Sequence, residues 1–333
     1  LAQGFGYEIP KQSLQATGIG LTLQSTSSAV REFNYEGAGG LQLRGCEWGP
    51  QDGLPIVCLH GILDQSLIWD LVAQPLAAAG LRIIAPDLRG HGLSESIPAS
   101  ASYQLMDFIA DGVALLDYYL DQPAILVGHS FGSVLAGVIT SVRPELVRHL
   151  VLVEPVLPSS SEDADSRTAI QTLLDYRKTR PRHSSMASLD EAAVKLQKVM
   201  SNLDDPFARR LVERGTCAHQ DGLIWRWDPV LQSRTSLNLQ GGPISRSSYL
   251  QLLAQLDTPV TALYGRDSRF NRQDDLQAQR QSLPSARRVT VDGGHHLAID
   301  APLSIVSEVL MASGLQPSSL GSGDLVSSRQ VQP

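Results

Sequence analysis

The stretch Val127-Gly128-His129-Ser130-Phe131-Gly132 constrains this chain more than any other. It sets a serine between two glycines directly after the apolar run Ala124-Ile125-Leu126-Val127. A buried strand that passes into a helix through a single serine needs a sharp, strained turn with backbone packed on both sides of it. A Cβ at either flanking position would meet that backbone, which gives Gly128 and Gly132 a steric reason to be glycine. The helix expected over residues 131–140 points its first N–H groups toward any negative charge that forms at Ser130. A serine held in this way can attack a carbonyl once a base takes its proton.

Around this turn the hydrophobic pattern alternates between strand and helix. Residues 41–48 alternate as a half-buried strand, 55–59 form a continuous apolar run, and 81–85 form another that Pro86 stops. Helical spacing is read over 68–79, ended by Gly80, and over 103–120, where Leu105, Phe108, Ile109, Val113, Leu116 and Tyr119 share one face. A strand at 150–153 follows the serine turn. The alternation lapses over 157–258, where helices are read at 169–178, 189–200, 208–214 and 247–256 among polar loops. It resumes with a strand at 260–264, a helix at 274–282, a strand at 287–291 and a last helix from Pro302. Such alternation builds a mostly parallel, doubly wound sheet with helices on both faces. The expected organisation is a linker or arm over 1–36, a sheet domain over 37–156 and 259–312, a helical lid over 157–258 and a disordered tail over 313–333.

Composition excludes several classes. No apolar run approaches the roughly 20 residues of a membrane helix, and no basic segment followed by an apolar one opens the chain. Neither membrane insertion nor secretion is expected. The chain opens on Leu1 rather than Met, as a processed chain or an excised domain does. Cys46, Cys58 and Cys217 lack metal-type spacing and cannot all pair, so no metal and a reducing cytoplasm are expected. A net charge of −7 argues against nucleic acid as a partner. That charge is uneven: residues 167–247 hold 13 Lys+Arg against 8 Asp+Glu, a local +5 that leaves −12 to the rest. A basic segment on an acidic body favours an anionic substrate, or one borne by an acidic carrier.

Four segments together carry a resemblance. His60-Gly61-Ile62-Leu63 follows the strand at 55–59, and Pro86-Asp87-Leu88-Arg89-Gly90-His91-Gly92-Leu93-Ser94 follows the strand at 81–85. Gly128 to Gly132 forms the serine turn, and Gly293-Gly294-His295 precedes the last helix. In this order the chain resembles the α/β-hydrolases from about residue 41 to 311, which implies their α/β fold, a mostly parallel doubly wound sheet with a helical lid insertion. The resemblance implies Ser130 as nucleophile, a late histidine as base, and the backbone N–H groups of Ile62 and Phe131 as oxyanion hole. Of the adjacent His295 and His296, the family places the base directly after Gly and seven residues before Pro302, which selects His295. The acid has two candidates. Most relatives carry it at the position of Ser268; Asp267 lies one residue before it, and Glu154, at the end of the strand at 150–153, is the less common placement. His60, Asp87, Arg89 and His91 are read as residues that fix loops. Chemistry that needs an Asp nucleophile at position 130 is excluded.

A narrower set resembles the decarboxylating thioesterases that end certain modular polyketide synthases, the curacin type. It comprises His60 to Asp64, Trp225-Arg226-Trp227-Asp228 with Arg234, Tyr264-Gly265 with Asn271-Arg272, and Gly293 to Asp300. This resemblance implies a Ser-His-Glu triad, which favours Glu154 over Asp267. It implies a β-sulfated acyl chain on the phosphopantetheine arm of an acyl carrier protein, with an upstream sulfotransferase domain in the same synthase and no other cofactor. Hydrolysis, then loss of CO2 and sulfate, gives a terminal alkene. Arg234 stands where the family's lid arginine grips sulfate. Gln240 and His296, the latter as imidazolium, stand in for the family's asparagines. A plain hydrolytic thioesterase, a stand-alone carboxylesterase or a C–C bond hydrolase would keep the same triad.

Overall fold

Six strands of the computed structural model, which describes residues 29–158, 171, 181–232, 244–316 and 330–331, precede the lid. They are β1 (Arg31–Glu36), β2 (Gln42–Trp48), β3 (Pro55–Leu59), β4 (Arg82–Pro86), β5 (Ala124–His129) and β6 (Val147–Val153). The lid carries β7 (Thr216–His219) and β8 (Gly222–Trp225), and β9 (Val260–Gly265), β10 (Arg287–Val291) and β11 (Gln330–Val331) follow it. The α-helices with ranges among the described residues are α1 (Asp70–Ala78), α2 (Leu105–Tyr119), α3 (Phe131–Val142), α4 (Leu189–Gln197), α5 (Asp205–Gly215), α6 (Arg246–Ala254), α7 (Gln273–Ser282), α8 (Leu297–Asp300) and α9 (Pro302–Ala312). One sheet runs in the order β1-β2-β4-β3-β5-β6-β9-β10-β11. Its centre, β4 through β10, is parallel, and the pairs β1–β2, β2–β4 and β10–β11 are antiparallel.

Every residue of β3, β5 and β9 is buried, as strands covered on both faces must be. Successive side chains feed two separate cores. Val57, Leu59, Leu126, Leu150 and Leu152 enter the one packed by α2, α3 and α6. Ile56, Cys58, Ile125, Val127, Val151 and Val153 enter the one packed by α1 and α9. Burying one such side chain contributes about 1.5–3 kcal/mol, and truncating Leu126 to Ala would cost about 2–5 kcal/mol through the cavity it leaves.

The structure departs from the sequence expectations at four places. Residues 31–36, read as part of an arm, form edge strand β1, in which only Phe33 is buried. The helix expected over 68–79 starts as a 3-10 turn, Ser66–Trp69, before α1. The lid is not purely helical, since β7 and β8 form a hairpin whose two-residue loop is closed by the pair His219 and Gly222. In the tail read as disordered, Gln330–Val331 pairs with Thr290 and Val289 of β10. The helix expected at 169–178 lies outside the described residues except for Gln171. Among the described residues no helix is long and apolar enough to cross a membrane.

Buried charge fastens the lid to the sheet domain. Arg214, at the end of α5, donates to both carboxylate oxygens of Asp87 at 3.0 and 2.7 Å. Asp87 also accepts the amides of Ser66 and Leu93. Tyr249 of α6 ties the lid's other end down by donating to the Ser133 carbonyl at 3.3 Å.

Candidate active site

Ser130 joins β5 to α3 with φ 51° and ψ −116°, a conformation that costs a non-glycine residue about 1–3 kcal/mol and persists only where packing over-determines it. The packing is visible. A Cβ on Gly128 would lie 2.4 Å from the Gly132 carbonyl oxygen, and one on Gly132 would lie 2.3 Å from that of Leu59. The second contact brings the exit of β3, Leu59 and His60, against the serine turn. Phe131 opens α3, so its amide is among those with no intrahelical acceptor.

The Ser130 Oγ lies 2.9 Å from His295 Nε2. The other ring nitrogen, Nδ1, lies 3.0 Å from Glu154 Oε2. A buried carboxylate accepts the proton of Nδ1, which leaves the lone pair on Nε2 facing the hydroxyl. Glu154 is itself left-handed, with φ 50°, directly after β6. This turn, whose amide donates to the Leu263 carbonyl at 2.8 Å, aims the side chain across the strand ends. Asp267, the alternative acid, is exposed; its amide donates to the Gly293 carbonyl at 3.0 Å, and its charge acts on Arg266. Of the two candidates, the structure brings Glu154 to His295.

Four donors converge on that carboxylate. Besides His295, the Gly265 amide donates to Oε1 at 2.5 Å and Asn271 Nδ2 at 3.4 Å, and the Ser268 hydroxyl donates to Oε2. The loop after β9 thus holds the acid in place of supplying one. The sequence reading registered Ser268 only as a position without an acid. Its distance of 114 residues from Glu154 left no local signal.

His295 is fixed from two further sides. The His129 Nε2–H donates to its carbonyl at 2.8 Å, and the Phe270 ring lies 4.2 Å from its ring centre to centre. Asp300 accepts the Gly294 amide at 2.7 Å and closes the preceding turn. The four residues read as loop-fixing are all buried in that role. His60 Nε2 accepts the Leu88 amide at 3.0 Å and His91 Nε2 the Leu63 amide at 3.1 Å. Burial lowers both rings, to about 4 and about 3, which keeps those lone pairs free. Arg89 pairs with Asp111 and Asp87 with Arg214.

Beside the triad lies a cavity of about 350 Å³ walled by Ile62, Leu63, Leu196, Met200, Trp225 and Trp227, with Asp64 and His296 among its polar groups. Burial, then the neighbouring His295, lowers His296 to about 4. In this structure it is a neutral ring rather than the expected imidazolium, and among the described residues its buried Nδ1 has no hydrogen-bond partner. Arg234 and Gln240 lie outside the described residues. Among the described residues no group of three His, Cys, Asp or Glu could hold a metal ion. The arrangement can perform acyl transfer: a hydroxyl, a base with its lone pair toward it, an acid that orients the base, and the Phe131 amide in the first turn of α3.

The sequence profile of the α/β hydrolase fold matches residues 55–302. A serine hydrolase-like protein of Danio rerio is 26% identical over 309 residues, covering 90% of this chain and 92% of the relative. Serine hydrolase-like protein 2 of Homo sapiens is 27% identical over 292 residues, covering 82% and 92%. Among solved structures, the thioesterase domain from the curacin biosynthetic pathway superposes with a TM-score of 0.81 at 39% identity, covering 85% of this chain and 99% of that domain.

Proposed function

The chain belongs to the α/β hydrolase fold family, and from that premise we propose that it is a thioesterase that uses Ser130 to release an acyl chain from an acyl carrier protein. The observation that carries the reading is the unbroken line from Glu154 through His295 to Ser130, at 3.0 and 2.9 Å. Ser130 Oγ attacks the thioester carbonyl while His295 Nε2 takes its proton. The amides of Ile62 and Phe131 receive the oxyanion, and His295 returns the proton to the departing pantetheine sulfur. Water then attacks the serine ester with His295 as base, and the proton goes back to Ser130 Oγ as the acid leaves.

The resemblance to the decarboxylating thioesterases suggests a β-sulfated acyl chain as substrate, and the likeness to the thioesterase domain from the curacin pathway accords with a thioesterase. After hydrolysis, the bond from the α-carbon to the carboxylate breaks, its electron pair forms the terminal double bond, and sulfate departs with the C–O pair. One β-sulfoxy carboxylate gives one alkene, CO2 and sulfate, with charge conserved. Sulfate leaves far more readily than hydroxide. The unpartnered Nδ1 of His296 in the cavity supports a hydrogen-bonding substituent near the reacting carbon, and Arg234 and Gln240 are proposed to complete that grip. The reading sets the reaction in the cytoplasm, with the carrier and an upstream sulfotransferase domain as partners.

The test is product analysis by mass spectrometry after incubation with matched β-sulfoxy and β-hydroxy acyl-carrier substrates. Alkene from the sulfated substrate alone supports decarboxylation. Carboxylic acids from both would leave a plain hydrolytic thioesterase, the second reading. The serine hydrolase-like relatives, matched over 92% of their own length, favour that second reading and with it a stand-alone carboxylesterase or C–C hydrolase.

A further inference from the structure

The cavity beside the triad contains a carboxyl group that the proposed reaction does not use. Asp64 stands two residues beyond Ile62 and lines the same cavity as Ile62, Leu63 and His296. Its side chain is 8% exposed, and its Oδ2 approaches His129 Nδ1 to 3.8 Å. His129 is no cation. It donates through Nε2 to the His295 carbonyl, so its Nδ1 carries a lone pair, and burial followed by His295 and His296 holds it well below its ordinary range. Of the described cations near the cavity, Lys195 pairs with Glu191 at 2.8 Å and Arg214 with Asp87 at 2.7 Å, while Arg269, which acts on His296, lies over the Phe270 ring at 5.2 Å. His296, on the loop after β10, is a neutral ring. Among the described residues no cation pairs with this enclosed carboxyl, which favours its neutral form, and burial pushes Asp64 up to about 7, the Gly61 amide offsetting part of the effect.

An ionised carboxylate in this position would repel an anionic substrate, whereas a neutral carboxyl presents one O–H donor and no charge. We infer that Asp64 is a specificity-determining residue whose carboxylic O–H donates a hydrogen bond to an anionic oxygen carried by the acyl chain close to its thioester, a sulfate monoester above all. The inference rests on the thioesterase reading and deepens it. Asp64 reads the charged substituent, and its proton is what lets an acidic residue line an anion-binding cavity. A neutral β-hydroxyl can donate to the carboxylate or accept from the acid, so its binding is indifferent to the proton.

The experiment is a competition between β-sulfoxy and β-hydroxy acyl-carrier substrates, which yields the ratio of their kcat/KM values at pH 6 and pH 8 and cancels any titration common to both. One unit above a pKa about 7, only about a tenth of Asp64 is protonated, so the ratio is expected to fall about tenfold toward the hydroxy substrate in the wild type. Asp64→Asn, which keeps a donor but does not titrate, is expected to flatten the dependence. A wild-type ratio equal at the two pH values overturns the inference and needs no variant to have folded. If neither thioester is cleaved at all, it is the thioesterase reading that fails.

Discussion

The Ser268 hydroxyl donates to Glu154 Oε2, the same carboxylate oxygen that receives Nδ1–H from His295. In most relatives of this fold the acid itself stands at the position of Ser268. Here the roles divide between two strand ends: β6 supplies the carboxylate, and the loop after β9 supplies donors that hold it.

Removing the acid's charge therefore has a definite consequence. Glu154→Gln keeps the side-chain shape but can present an amide N–H to the ring, which permits the wrong histidine tautomer. A loss of about four orders of magnitude in kcat is expected from steady-state kinetics. Asp267→Asn is expected to change kcat less than about twofold, since exposed sites away from such networks are nearly silent. Abolition of turnover by Asp267→Asn alone, in a folded protein, would reverse the assignment.

Ser268→Ala removes one charge-assisted hydrogen bond to Glu154, of the kind that contributes about 1.5–3 kcal/mol. It is expected to lower kcat about tenfold or more with KM little changed, and Ser268→Thr is expected to restore most of the loss. A rise in KM at constant kcat would show that Ser268 contacts substrate instead.

The sharpness of the serine turn is open to a steric test. Gly132→Ala puts a methyl 2.3 Å from the Leu59 carbonyl oxygen, and backbone on both sides leaves it little room. A stability loss of about 1–3 kcal/mol is expected in urea unfolding, with activity lost alongside it. An Ala variant of wild-type stability would mean that the turn is slacker than described.

Asp87 governs stability in acid. Burial alone would raise its pKa, but Arg214 and the surrounding hydrogen bonds outweigh burial and hold it below 3.8. A carboxyl depressed in the folded state stabilises the fold fully above its unfolded pKa. That contribution is lost as pH falls below about 4. Arg214→Leu leaves Asp87 buried without its cation, at an expected cost of about 3–5 kcal/mol. With the cation gone, burial dominates, so protonation and the accompanying loss of charge move to higher pH. Urea unfolding from pH 3 to 7 on both proteins checks this: the wild type should weaken only at the acid end, and the variant should be weak at pH 7.

Much of this architecture was legible in local pattern. β3 and β5 announced themselves as continuous apolar runs because both their faces are covered. Gly128, Ser130 and Gly132 announced the turn because only glycine tolerates the close backbone on each side. His295 was separable from His296 only through the spacing to Pro302 that the family resemblance implies. What escaped was set by tertiary context. β1 carries Arg31, Glu32, Asn34 and Glu36 around Phe33, so an edge strand with one buried side chain looked like an arm. The β7–β8 hairpin turns at Gln220-Asp221, which is not a favoured two-residue turn pair, and its strands are half-exposed and only four residues long. Nothing in the sequence foretold that Glu154 would adopt φ 50° or that Ser268 would reach it from a strand much later in the chain.

The most direct test of the central claim is the covalent state of Ser130. Wild-type protein mixed with an acyl-carrier thioester, acid-quenched within the first turnovers and read by intact-mass and peptide-mass spectrometry is expected to carry one acyl group on the peptide containing Ser130, and Ser130→Ala is expected to carry none and release no thiol. Undiminished thiol release by Ser130→Ala would contradict the account.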